Sequence, residues 1–213
     1  MRKKMHKIRK FFKQTARRWS WAFYRKRKVE KQQYKDLIKG KENVKLHLGC
    51  GDKRFEGYIN IDIVPTEGSD MLMDVTDLSI IPSDSVSEIF MKSVFEHLYN
   101  DEQEKALGEY YRVLKNEGRL TIKVPDFDAV VGAYLRKEKG IVSEVFDFDH
   151  VRQYVCGELV PENRVPSVHK DIFNKERLRK LLEEKKFFVE SIKNVVFEDQ
   201  RLALTIEAVA VKK

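Results

Sequence analysis

Val44-Lys-Leu-His-Leu-Gly-Cys-Gly-Asp52 decides how this chain is read. Val44 to Leu48 is a short, mostly apolar β-like run that passes straight into Gly49-x-Gly51. Glycines at that place let the backbone turn sharply and approach a ligand where a Cβ would collide. Fourteen residues past Leu48, the next β-like run, Tyr58-Ile-Asn-Ile-Asp-Ile63, brings Asp62 to its end. A carboxylate there can accept both hydroxyls of a ribose. A Gly-x-Gly turn by itself is a tight loop; with Asp62 in register it points to nucleoside binding. A nicotinamide fingerprint wants a third glycine opening a full helix, and Cys50-Gly-Asp-Lys-Arg54 has none.

Outward from that stretch, β-like runs alternate with helical ones, the mark of a parallel sheet with crossover helices. Further strands are predicted at Met71 to Val75, Glu88 to Lys92, Arg119 to Val124, Phe188 to Phe197 and Leu202 to Val211. Only a turn at Glu198 to Arg201 separates the last two, which makes them antiparallel. Asp101 to Lys115 reads as a helix with Asn100 or Asp101 as its cap, and Asn174 caps another running to Lys186. Residues 126 to 170 form an insertion with helices around Phe127 to Arg136 and Ser143 to Cys156, then a loop carrying Pro161 and Pro166. Insertions after a late strand often cover an active site.

The order of these motifs resembles the class I S-adenosylmethionine-dependent methyltransferases, in particular the small bacterial type 11-like kind, with Leu-Gly-Cys-Gly, then Asn-Ile-Asp, then Glu-His-Leu. The resemblance runs over 44 to 211. It implies a Rossmann-like, doubly wound, seven-stranded, mostly parallel α/β sheet whose last strand is antiparallel, with S-adenosylmethionine over the ends of strands one, two and four. It implies cofactor contacts from Leu48, Gly49, Cys50, Gly51, Asp62 and Ile63. Met73-Asp-Val-Thr-Asp-Leu78 matches the segment after strand three, so Asp74 would meet the adenine amino group and the Val75 backbone the ring. Ser93-Val-Phe-Glu-His-Leu98 matches the end of strand four, so Ser93 and Phe95 would line the methionine half. Glu109 to Leu120 and Val124-Pro-Asp126 match the following helix, turn and fifth strand.

This chain departs from the family pattern at three places. His47 stands where an acidic residue is common, the third loop glycine is missing, and Gly49 to Tyr58 leaves ten residues for the first crossover. That length is about the minimum for a crossover, so the first helix is expected to be a turn or absent.

Methyl transfer from a sulfonium is a direct displacement, and the protein mainly holds the acceptor in line and excludes water. A hydroxyl acceptor also needs a base within hydrogen-bond reach. His97 (with Glu96 to orient a ring nitrogen or a backbone amide), Asp126 and His169 are the candidates, each with a plainer reading: a structural histidine, a helix cap and a surface histidine.

The chain carries a net charge of +8, unevenly divided. Residues 1 to 41 hold 17 Lys and Arg against Glu30 and Asp36, a net of +15, while the rest holds 25 against 32 acids, a net of −7. Within the arm, Met5, Ile8, Phe12, Trp19 and Phe23 draw one apolar helical stripe. Residues 1 to 41 are therefore read as a basic amphipathic helical arm, and 42 to 213 as the methyltransferase domain. The arm suits an anionic membrane surface, with a solvated or disordered tail as the alternative and nucleic acid as a lesser one. Cys50 and Cys156 lie far apart with no metal-ligand spacing around them, so neither a disulfide framework, a zinc site nor any other metal is expected. The expectation is a cytoplasmic enzyme, peripheral on the inner membrane face, acting on a saccharide or lipid-linked glycan. An RNA methyltransferase using the arm, or a scaffold that keeps the fold without turnover, are the rivals.

Overall fold

A computed structural model describes residues 30–139, 146–158, 167–196 and 202–213. The amphipathic stripe of residues 1–29, Ser143, the Pro161–Pro166 loop and the Glu198–Arg201 turn lie outside the described residues. The chain divides into two units at Lys41/Glu42. Of the first unit, residues 30–38 are helical. Among the described residues no helix is long and apolar enough to cross a membrane.

The second unit is built on seven strands: β1 (Val44–Leu48), β2 (Ile59–Asp62), β3 (Met71–Leu72), β4 (Val86–Lys92), β5 (Leu114–Pro125), β8 (Phe187–Val195) and β9 (Thr205–Lys212). A separate two-stranded ribbon joins β6 (Gly157–Glu158) to β7 (Ser167–Val168). The main sheet runs β3-β2-β1-β4-β5-β9-β8. β9 is antiparallel to both its neighbours, and the other pairs are parallel. This is the expected doubly wound sheet with an antiparallel last strand. The order reverses at β1, which pairs with β2 on one side and β4 on the other. Ligands bind open α/β sheets at such a switch point, outside the carboxyl ends of the strands.

Burial explains why the central runs are strands. Leu46, Leu48, Ile59, Ile61, Ile89 and Met91 are all at most 1% exposed, as expected where helices or loops cover both faces of a parallel sheet. Helix α1 (Asn100–Val113) connects β4 to β5 and buries Ala106, Leu107, Tyr110 and Val113. Its N-cap is Tyr99, not Asn100 or Asp101, because Glu102 reaches back to accept the Tyr99 amide at 2.9 Å. α2 (Phe127–Leu135), α3 (Phe148–Cys156) and α4 (Lys175–Glu184) follow, and Asn174 caps α4 by accepting the Arg177 amide at 2.9 Å. The insertion packs on its own small core: Val130, Ala133 and Phe146 meet Leu204, with Tyr154 and Val155 against them.

Three expected boundaries shift for local reasons. β3 stops at Leu72 instead of Val75 because Asp74 folds back, its Oδ1 accepting both the amide and the hydroxyl of Thr76 at 2.8 Å. β5 begins at Leu114, five residues early, because its register against β4 slips between Val86 and Glu88 and absorbs the turn at Glu117-Gly118 as a bulge. α3 begins at Phe148 because Asp147 caps it, accepting the His150 amide at 3.2 Å.

Candidate active site

The β1–β2 connection contains no helix, as its length requires. Side-chain hydrogen bonds brace it instead. Asn60, fully buried on β2, accepts the Phe55 amide at 2.9 Å on Oδ1 and donates through Nδ2 to the Phe55 carbonyl at 3.1 Å and to Asp70 Oδ2 at 2.9 Å. With Nδ2 so engaged, Oδ1 is also the acceptor for His47 Nδ1 at 3.0 Å. The His47 ring stacks on Phe55 with centroids 4.2 Å apart. Burial pushes its pKa down, so a neutral imidazole replaces the acid common at this place, and packs there. Asn60 is a site residue that motif reading passed over. Its only signal was its place in Asn-Ile-Asp.

Gly49 and Gly51 both adopt left-handed backbone, at φ +66° and +54°. A Cβ on Gly49 would come within 2.1 Å of Val94, while at Gly51 the space is open. The Gly51 amide donates to Asp62 Oδ2 at 2.8 Å, and the Val64 amide donates to Asp62 Oδ1 at 3.1 Å. Asp62 thus ties the glycine turn to the end of β2. From the other side Thr66 donates its hydroxyl to the Gly51 carbonyl. Gly68 packs so closely that a Cβ would stand 2.6 Å from that carbonyl oxygen. Gly68, too, carried no motif in the sequence.

A cleft of about 380 Å³ opens here, lined by His47, Gly49, Cys50, Gly51, Asp52, Lys53, Phe55, Lys92 and Ser93. That volume suits a small-molecule site. Ser93 leaves β4 in left-handed backbone at φ +53°, a sparsely populated conformation that clusters at functional sites. Of the expected cofactor residues, the cleft takes in Gly49, Cys50, Gly51 and Ser93. Ile63 is 63% exposed at the end of β2 and Asp74 is exposed after β3, on the same edge but outside the cleft lining. Val75 is buried beside it. Leu48 and Phe95 have fully buried side chains, Phe95 against Phe173 with centroids 5.6 Å apart. Their side chains are core, which leaves only their backbones for a ligand.

The three candidate bases separate clearly. Asp126 is 1% exposed and caps α2, accepting the Asp128 amide at 3.1 Å and the Asn194 amide group at 2.6 Å. At 1% exposure it is turned into the protein, where it serves as the cap of α2. His97 sits on a 3₁₀ turn after β4 (Phe95–His97). Its Nδ1 lies 3.1 Å from the Val168 carbonyl, to which it donates, leaving Nε2 with a lone pair. His169, half-buried, packs edge-on to His97 with ring centroids 5.0 Å apart. Burial pushes both imidazoles down; the Val168 bond opposes this at His97, and the neighbouring His97 reinforces it at His169. Both are neutral at neutral pH.

Glu96 corrects its expected part. The side chain is 1% exposed, and neither carboxyl oxygen has a hydrogen-bond partner, so it orients no ring nitrogen or amide. Burial pushes its pKa up to about 8, while the nearby Glu96 and Val94 backbone amides pull the other way. Its backbone carbonyl is the anchor instead, accepting the Lys170 amide at 2.8 Å and the Asp171 amide at 3.2 Å. These bonds stitch the end of the insertion to the end of β4, and so bring His169 to His97.

Residues 46–122 match the model of the methyltransferase domain family. No curated protein matches the sequence. Among solved structures, the fold is similar to a SAM-dependent methyltransferase of Methanosarcina mazei, at 16% identity and TM-score 0.52, over 81% of this chain and 93% of that one. It is similar as well to a SAM-dependent methyltransferase of Thermotoga maritima described as a possible histamine N-methyltransferase, at 17% identity and TM-score 0.55, over 86% and 88%. A third is the 1,6-didemethyltoxoflavin-N1-methyltransferase of Burkholderia thailandensis with bound S-adenosylhomocysteine, at 15% identity and TM-score 0.50, over 92% and 82%. The methyltransferase-domain match over the glycine turn, the shared fold and a cleft at the switch point make this chain similar to the S-adenosylmethionine-dependent methyltransferases.

Proposed function

We propose that the enzyme methylates a hydroxyl of a saccharide or lipid-linked glycan at a membrane surface. Gly49, Cys50, Gly51 and Ser93, with the Leu48 backbone, take the methionine half of the cofactor. Asp62 takes the ribose hydroxyls with the lone pairs its two backbone bonds leave over, Ile63 covers the adenine, and Asp74 and the Val75 backbone meet its edge. Held there, S-adenosylmethionine would supply the methyl group and become S-adenosylhomocysteine, and the acceptor hydroxyl would give up its proton to a base at the acceptor pole.

The observation that carries the hydroxyl acceptor is the pole itself. Glu96, His97 and His169 gather beyond β4, on the sheet edge that holds the glycine cleft. A hydroxyl needs such groups to lose its proton. Phe127 and Ile172, both partly exposed, border this pole and offer apolar surface to a sugar face. The membrane surface rests on charge: the arm of residues 1–41 is at +15 while residues 42–213 are at −7. An arm of that sign is drawn to anionic lipid, whereas a site facing RNA would ordinarily be flanked by basic surface.

The test is methyl transfer from labelled S-adenosylmethionine to membrane glycan extract or to total RNA, with flotation on anionic vesicles alongside. Label in glycan, and flotation lost when residues 1–41 are removed, are expected. Label in RNA alone would transfer the assignment to an RNA methyltransferase. Cofactor binding without transfer to either would favour a scaffold.

A further inference from the structure

We propose that Glu96, His97 and His169 form a binding site for a divalent first-row transition-metal ion, zinc being the best match. The carboxylate oxygen and one nitrogen of each ring all lie within 4.8 Å of one another, so modest side-chain movement brings all three onto one ion at zinc-ligand distances of about 2.0–2.2 Å. Two imidazoles and one carboxylate suit zinc and its neighbours better than calcium or magnesium. Three protein ligands leave a position open for a water or an acceptor oxygen, which deepens the hydroxyl-acceptor reading above.

Three independent features point to a missing partner. Glu96 buries both carboxyl oxygens without a hydrogen-bond partner; a metal ion, displacing the carboxyl proton, supplies that partner. His97 is held by Val168 through Nδ1, and the Tyr154 and Val155 carbonyls face the His169 ring. Backbone carbonyls behind ligating histidines are the usual second layer of a metal site, fixing which nitrogen offers its lone pair. Finally, a pocket of about 10 Å³ is lined by Glu96 and His169, though not by His97, room for a single water-sized body beside the pair. Asp171, the next acid along, is turned to other work, bound by Gln103 at 3.1 Å and by Arg177. Lys170, the cation beside this pair, sits over the Tyr99 ring.

The ligands come from two segments, the turn after β4 and the residue after β7, so an ion would also clamp the insertion to the sheet. The test uses the full chain, stripped with a chelator, dialysed against micromolar Zn2+ and assayed for bound metal, with Co2+ substitution read by its visible spectrum. One ion per chain, a Co2+ spectrum of nitrogen and oxygen ligation, and a rise in Tm with Zn2+ are expected. Glu96→Gln, His97→Ala and His169→Ala should each weaken binding by at least the roughly 10- to 100-fold that loss of an outer-layer partner costs and abolish the rise, while Cys156→Ser should change neither. No stoichiometric metal on the folded wild-type chain would overturn the proposal, as would binding that survives all three substitutions or is lost with Cys156. Stripped protein that still binds S-adenosylmethionine keeps the cofactor site separate from this one, so either can fail alone.

Discussion

Gly49 and Val94 lie against each other so closely that a Cβ on the glycine would stand 2.1 Å from Val94 Cγ2. The first motif glycine is therefore required twice, by this contact and by its left-handed backbone at φ +66°. Gly51 shares the backbone conformation but faces open space. Gly49→Ala is expected to cost about 2–4 kcal/mol and Gly51→Ala about 1–2 kcal/mol. Denaturant midpoints of the two variants check the order. The double change Gly49→Ala with Val94→Ala should recover part of the loss, since it removes the collision and leaves the backbone strain.

Asn60 holds the shortened first crossover through its bonds to Phe55, Asp70 and His47. Asn60→Ala leaves several of these groups buried without partners and is expected to cost about 2–4 kcal/mol. Because Phe55 and His47 also line the cleft, cofactor affinity should fall with it. Thermal unfolding and cofactor titration on the same variant read both effects.

Asp70 gives the fold an acid-side signature. Burial pushes its pKa up, but two bonds from Asn60 and the Arg54 guanidinium more than reverse this and hold it below its ordinary 3.8. A carboxylate depressed in the folded state contributes stability above its unfolded pKa, and that contribution is lost as pH falls through the folded value. Stability should therefore fall on acidification below about pH 4. Asp70→Asn should flatten that limb while lowering stability at neutral pH, as urea midpoints between pH 3 and 7, values at about the carboxylate range and above it, will show.

Asp126 as a cap makes a prediction opposite to Asp126 as a base. Asp126→Ala should cost about 1–2 kcal/mol of stability. Asp126→Asn, which can still accept the Asp128 amide, should keep the methyl-transfer rate within about tenfold, whereas loss of a general base costs about 100- to 10,000-fold.

How far the sequence could be read depends on how local each feature is. β1 was legible to the residue because a buried apolar run ends abruptly at Gly49. The antiparallel β8–β9 pair followed from a connection too short for a crossover. β3 was overdrawn because a side chain, Asp74, ends it by capturing Thr76. β5 was cut short because its first residues pair across a bulge that no periodicity announces. Asp126 stood at the right edge for a base, and only its burial and its two partners made it a cap. The Glu96–His97–His169 group was invisible as a group, since His169 is brought to it by two backbone bonds to Glu96 from residues 74 and 75 positions further on.

Calorimetric titration of S-adenosylmethionine into the wild-type chain and into Asp62→Ala reads the cofactor site directly. Wild-type binding near micromolar, about −8 kcal/mol, is expected to weaken at least about tenfold in the variant, a loss of about 1.4 kcal/mol, with the fold retained by circular dichroism. Equal affinity in the two proteins, or no binding by a folded wild-type chain, would contradict a cofactor site built on Asp62 and the glycine turn.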